Sequence, residues 1–113
     1  MNASAAVLLG FAVRARKLVA GLTAVQHGTG RKRIRLIVMD ASAGQSTRQK
    51  LAAIARQSGV PIRQLGNTLT LAEIISKPNC RCVGITDAGF AKALLGSTDL
   101  IGIQTLRTDR GGD

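Results

Sequence analysis

The sequence predicts an α/β domain whose sheet is covered on both faces by helices, and three observations carry that prediction. Segments with apolar residues at helical spacing alternate along the chain with short apolar runs of strand length. One run, Ile34 to Met39, is apolar almost throughout, as expected of a strand buried on both sides. The 113 residues are 45% hydrophobic, yet Phe11 and Phe90 are the only aromatics, so the core has to be built from Leu, Ile, Val and Ala. A chain of this length makes one domain with a genuine core.

Each element has a local reason. Residues 3–16 read as a helix with Leu8, Phe11, Ala12 and Ala15 on one face and Arg14 and Arg16 near its C-terminal end, where cations suit the helix dipole. Lys17 to Ala20 reads as a short strand before Gly21. A second helix starts at Leu22, offering Ala24 and Val25 to the core. Gly28 and Gly30 weaken it, at roughly 1 kcal/mol each relative to alanine, which predicts a frayed end and a mobile segment over Gly28–Lys32.

After the Ile34–Met39 strand, Ser46 to Ser58 reads as a helix with a capping box at Ser46 and Gln49, ended by Gly59. Pro61 opens a strand through Leu65, and Gly66-Asn67 is a turn signal. Thr70 and Glu73 cap the next helix, whose buried face is Leu71, Ile74 and Ile75. Arg81 to Thr86 is another strand, and Asp87 caps a helix that ends at Gly96. The domain is therefore placed at residues 1–96. Residues 97–113 are read as a tail with one apolar patch, Leu100-Ile101-Gly102-Ile103, and a disordered end.

Charge narrows the function. The formal net charge is +10, and seven of the sixteen Lys and Arg residues fall between Arg14 and Arg35. Clustered cations are the footprint of a polyanion, and RNA is the expected partner. The scarcity of aromatics argues against base-stacking platforms. The run Ala5–Phe11 has its charges after it rather than before it and is too short to span a bilayer, so no membrane role is expected. Cys80 and Cys82 sit too close in sequence to bridge each other easily, and a cytoplasmic location is inferred. His27 is the only histidine, which excludes a two-histidine metal site. Two soft thiols fall short of the four ligands zinc needs, so no metal or cofactor is expected.

The stretches LLGFAVRARKLVAG, GLTAV, IRLIVMDASAGQSTRQKL, GVPI and ITDAGFAKAL, in that order and spacing from Leu8 to Leu94, resemble the bacterial YlxQ-type proteins of the kink-turn RNA-binding ribosomal protein superfamily. The resemblance implies a three-layer α/β/α sandwich with a four-stranded mixed sheet. It also implies binding of structured RNA, ribosomal or kink-turn-like, through the start of the second helix and neighbouring loops, with the ribosome as a further partner. In that family the second helix opens with a glycine, then Asn-Glu two residues on, then a lysine. Here Gly21 supplies the glycine, while Thr23, Ala24 and His27 stand at the other positions. The loop Lys77-Pro78-Asn79-Cys80-Arg81 matches the family's second RNA-contacting loop, and Ser76 falls where the family commonly has a glycine.

The residues expected to bind RNA are Gly21, Thr23, Gln26, Arg31, Lys32, Arg33 and Arg35, with Lys77 and Arg81 at the second loop. Amide groups at a helix start can hold phosphates, uncharged side chains can reach bases or sugars, and the cations position the backbone. The chain is expected to be a monomer and not an enzyme. The rival reading is a phosphate-ester enzyme using the loop Asp40–Thr47, which leaves a strand and opens a helix as phosphate-binding loops do but lacks the GxxxxGK[ST] pattern. A third reading is a ribosome-associated scaffold whose basic face docks without recognising any RNA feature.

Overall fold

The structure, a computed structural model, describes residues 4–66, 70–97 and 99–102. Along the chain it runs α1 (Ala5–Arg14), β1 (Leu18–Ala20), α2 (Leu22–Gly30), β2 (Leu36–Met39), α3 (Gln45–Ser58), β3 (Ile62–Leu65), α4 (Leu71–Ile75), β4 (Cys82–Ile85), α5 (Ala88–Leu95) and β5 (Leu100–Gly102). No helix among these residues is long and apolar enough to cross a membrane.

The strands form one mixed sheet in the order β1-β4-β2-β3-β5. β2 and β3 are parallel, and the other neighbours are antiparallel. The sheet thus has five strands, not the expected four. The extra strand comes from beyond Gly96, where Leu100–Gly102 pairs with Leu65–Arg63 on the outer edge of β3. Asp99 fastens it: its carbonyl accepts from Gly66 N–H at 3.0 Å and its carboxylate from Ala5 N–H, in the first turn of α1, at 2.8 Å. The turn expected at Asn67 and the disordered end of the tail lie outside the described residues.

Strand alternation sorts the core into two clusters. Leu36 and Val38 of β2, with Val83 and Ile85 of β4, pack among residues of α1, α4 and α5. Ile37 and Met39, with Cys82, pack among residues of α2 and α3. Every residue of β2 and β4 is buried, which is why the Leu36–Met39 run carries no polar position. The buried face of α1 is Ala5, Leu9 and Ala12, so Phe11 is half exposed rather than part of the core.

Most helix ends follow local chemistry. Thr70 Oγ1 accepts from Glu73 N–H, and Asp87 accepts from Phe90 N–H. Gly59 closes α3 in the left-handed conformation, with φ of 74°. The capping box expected at Ser46 is absent: α3 begins one residue earlier, with Gly44 as N-cap and no side-chain cap. At the end of α4, Ser76 holds φ of 58°, the left-handed conformation that glycine adopts most readily.

Candidate nucleic-acid interface

The sheet register divides the expected binding residues between its two ends. At one end, β1 runs out at Ala20, opposite Val83, and Gly21 N–H donates to the carbonyl of Cys82 at 2.9 Å. Asp40 N–H donates to the carbonyl of Arg81 at 2.8 Å. This Gly21 end therefore gathers the start of α2, the loop after β2, and the loop Lys77–Arg81. At the opposite end, Leu18, Ile85 and Leu36 lie in one row, Thr86 N–H donates to the carbonyl of Lys17, and Arg35 N–H donates to that of Ile85. The row beyond places Lys17 and Arg35 on either side of Thr86. Helix α2 runs from one end to the other, so Arg31, Lys32, Arg33 and Arg35 lie at the end of the sheet where Arg16 and Lys17 lead into β1, not at the Gly21 end.

At the Gly21 end, the φ of 97° at Gly21 allows a sharp entry into α2 that a side chain would resist. No side chain caps the helix, leaving its first amide groups open to an anion. Thr23 and Gln26 project from α2 into solvent, and His27 and half-buried Ala24 share the helix. Across from them, Lys77 and Arg81 are exposed. Structure thus joins Gly21, Thr23, Lys77 and Arg81, with Gln26 in the middle of α2.

The loop between β2 and α3 is held by a buried polar knot. Asp40 is 1% exposed. One of its carboxylate oxygens accepts from Leu71 N–H at 2.8 Å, which satisfies the first amide of α4. The other accepts from Ser42 N–H at 3.1 Å and from the Ser42 hydroxyl. Burial by itself pushes this carboxyl up, but the bonds from Ser42 and Leu71 and the charge of Arg81 outweigh it, so its pKa lies below the usual value. Arg48 clamps the same loop, donating to the carbonyls of Ala43 and Ala41 at 2.9 and 2.7 Å and to Gln64 Oε1 at 2.8 Å. Asp40 is the acid that the enzyme reading would need, and every bond here ties it to structure. The sequence marks Asp40–Thr47 as a loop leading into a helix but does not show which side chains hold it. The signals for Asp40 and Arg48 were long-range, because their partners are remote in the chain.

At the Arg35 end, the basic knot is more ordered than the glycines suggest. Arg33 N–H donates to the carbonyl of Gly28 at 2.9 Å and Lys32 N–H to that of Thr29 at 3.0 Å, with Lys32 at φ of 59°. These are the paired bonds of a Schellman motif, with a lysine where glycine is usual. Gly28 is buried, and a Cβ there would come within 2.7 Å of Ile34 Cδ1. Its role is close packing, not mobility. Between α2 and α3 lies an open cleft of about 790 Å³, lined by Lys32 and Arg35 together with Ile54, Val60 and Pro61.

Both cysteines are buried, free thiols, and Cys80 Sγ donates to the carbonyl of Cys82 at 3.4 Å. Burial pushes both thiol pKa values up, that of Cys82 to about 11.

Comparison with known proteins agrees with this architecture. Residues 3–95 match the model of the Ribosomal protein L7Ae/L30e/S12e/Gadd45 family. The RNA-binding protein YlxQ of Bacillus subtilis is 32% identical over 92 residues, covering 81% of this chain and 92% of that protein. A solved structure of a protein of unknown function from Bacillus halodurans superimposes with a TM-score of 0.74 at 31% identity, over 80% of this chain and 91% of that one. With a family match over most of its length and a relative of this similarity, the chain belongs to the L7Ae/L30e/S12e/Gadd45 family as a YlxQ-type member.

Proposed function

We propose that the protein binds structured RNA, ribosomal or kink-turn-like, without catalysing a reaction, and that it acts as a cytoplasmic monomer alongside the ribosome. Residues 1–96 form the binding domain in this reading, with the layered α/β/α arrangement of its superfamily presenting the site. The observation that carries it is the uncapped start of α2 beside the exposed Lys77 and Arg81, in a chain whose relative YlxQ is an RNA-binding protein. Gly21 brings the backbone close to a phosphate, Thr23 and Gln26 meet bases or sugars, and Lys77 and Arg81 hold the second strand. Arg31, Lys32, Arg33 and Arg35 stand apart from these contacts, at the opposite end of the sheet, and meet phosphates of their own there.

Thr23 and Ala24 lack the amide and carboxylate that read the kink-turn in related chains. A hydrogen bond to a charged group is worth roughly 1.5–3 kcal/mol, so the missing acidic reader lowers discrimination by about tenfold or more. Parallel titrations with a kink-turn RNA and a matched plain duplex at one salt concentration test this. The wild type should prefer the kink-turn modestly, and Thr23→Asn with Ala24→Glu should raise the preference. A strong preference that the double change leaves unaltered or reduces would place recognition on other residues.

A further inference from the structure

The cations at the Arg35 end come from three separate segments. Arg16 and Lys17 follow α1, Arg31 to Arg33 follow α2, and Arg35 opens β2. All are exposed, in contrast to Arg48, whose guanidinium is spent on the protein's own carbonyls. Among the described residues, Asp87 follows Thr86 at this end, and its carboxylate accepts from Phe90 N–H.

Two of these cations sit where the backbone disfavours them. Arg16 and Lys32 each have φ of 59°. Arg16 closes α1 as Lys32 closes α2: Arg16 N–H donates to the carbonyl of Val13 at 3.1 Å and Lys17 N–H to that of Ala12 at 2.8 Å. Glycine fits such positions without strain, yet both helices are closed by a basic residue at the same end of the sheet. The cleft between α2 and α3 has Lys32 and Arg35 in its lining.

Distance separates this cluster from the start of α2. The nine residues of α2 span about 13 Å at 1.5 Å per residue. The Debye length in physiological salt is about 8 Å, so charges at one end contribute little to an anion held at the other. Cations placed here need phosphates of their own.

We propose that the Arg35 end is a second RNA-contacting surface, independent of the start of α2, so that one chain holds two RNA segments at opposite ends of its sheet. The proposal rests on the RNA-binding function above and adds the simultaneous second contact.

A sandwich measurement tests it. A kink-turn hairpin RNA is immobilised and saturated with the full chain, and a labelled plain RNA duplex is then flowed over it. Wild type should capture the labelled duplex. The variant Arg31→Ala, Lys32→Ala, Arg33→Ala, Arg35→Ala, with an unchanged circular dichroism spectrum, should still load the hairpin but capture about tenfold less duplex, from the lost phosphate contacts. Lys77→Ala with Arg81→Ala should weaken loading itself. The proposal is overturned if the loaded wild type captures no duplex, if the quadruple variant captures as much as wild type, or if that variant fails to load, which would mean one RNA wraps both ends. A wild type that loads on no immobilised RNA would overturn the RNA-binding function itself, a result distinct from all three.

Discussion

Ile34 is wedged between two glycines, and Gly28→Ala measures how tightly. A Cβ at Gly28 would lie 2.7 Å from Ile34 Cδ1 and 2.9 Å from Cγ1, and a Cβ at Gly84 would also lie 2.7 Å from Ile34 Cδ1. The Ile34 side chain, 4% exposed, cannot retreat from α2 without pressing on β4. Alanine in a helix interior is ordinarily better than glycine by about 1 kcal/mol. Forcing an extra carbon into a packed core costs about 1–3 kcal/mol. The clash outweighs the propensity gain, and Gly28→Ala should destabilise the fold by up to about 2 kcal/mol. For a domain near this size that lowers Tm by about 5 °C per kcal/mol. Ile34→Val removes Cδ1, the atom nearest both glycines, and should cost about 1 kcal/mol alone. Combined with Gly28→Ala it should recover much of the loss, giving a favourable coupling of about 1 kcal/mol in a double-mutant cycle by urea denaturation. A rise in stability on Gly28→Ala, or an equal effect with and without Cδ1, would refute the wedge.

Other outcomes follow from the same structure. Because the folded-state pKa of Asp40 is depressed, its contribution is present above the unfolded value near 4 and is lost as pH falls through the folded value. Asp40→Asn should therefore cost about 2–4 kcal/mol at pH 7, with the gap from wild type closing in acid unfolding curves; a constant gap down to about pH 2 would contradict the knot. Lys32→Gly should relieve the left-handed backbone and raise stability by about 0.5 kcal/mol while weakening duplex capture by the hairpin-loaded protein, whereas Lys32→Ala should weaken that capture with no gain in stability. With its pKa near 11, Cys82 should be alkylated about 100-fold more slowly at pH 8 in the folded protein than after denaturation. Equal rates would show that the thiol is exposed.

The sequence by itself determined whatever depends on neighbours in the chain. The caps at Thr70 and Asp87, the glycine stop at Gly59 and the strand at Leu36–Met39 were legible because their partners lie within a few residues, or because burial on both faces leaves only apolar side chains. Net charge and its clustering were equally plain, and so was the family resemblance, since it rests on order and spacing. Tertiary structure decided the rest. Gly21 and Arg35 looked like the two borders of one surface because few residues separate them, but a helix laid across the sheet carries them to opposite ends. Gly28 looked like a weak point in α2 and is instead the space that Ile34 fills, a fact set by β2 and β4. Asp40 stands in a loop that also admits an enzyme reading, and only Leu71, 31 residues on, supplies the donor that ties it to structure. The strand at Leu100–Gly102 was visible only as an apolar patch, because a short edge strand owes its form to the neighbour whose open hydrogen bonds it completes.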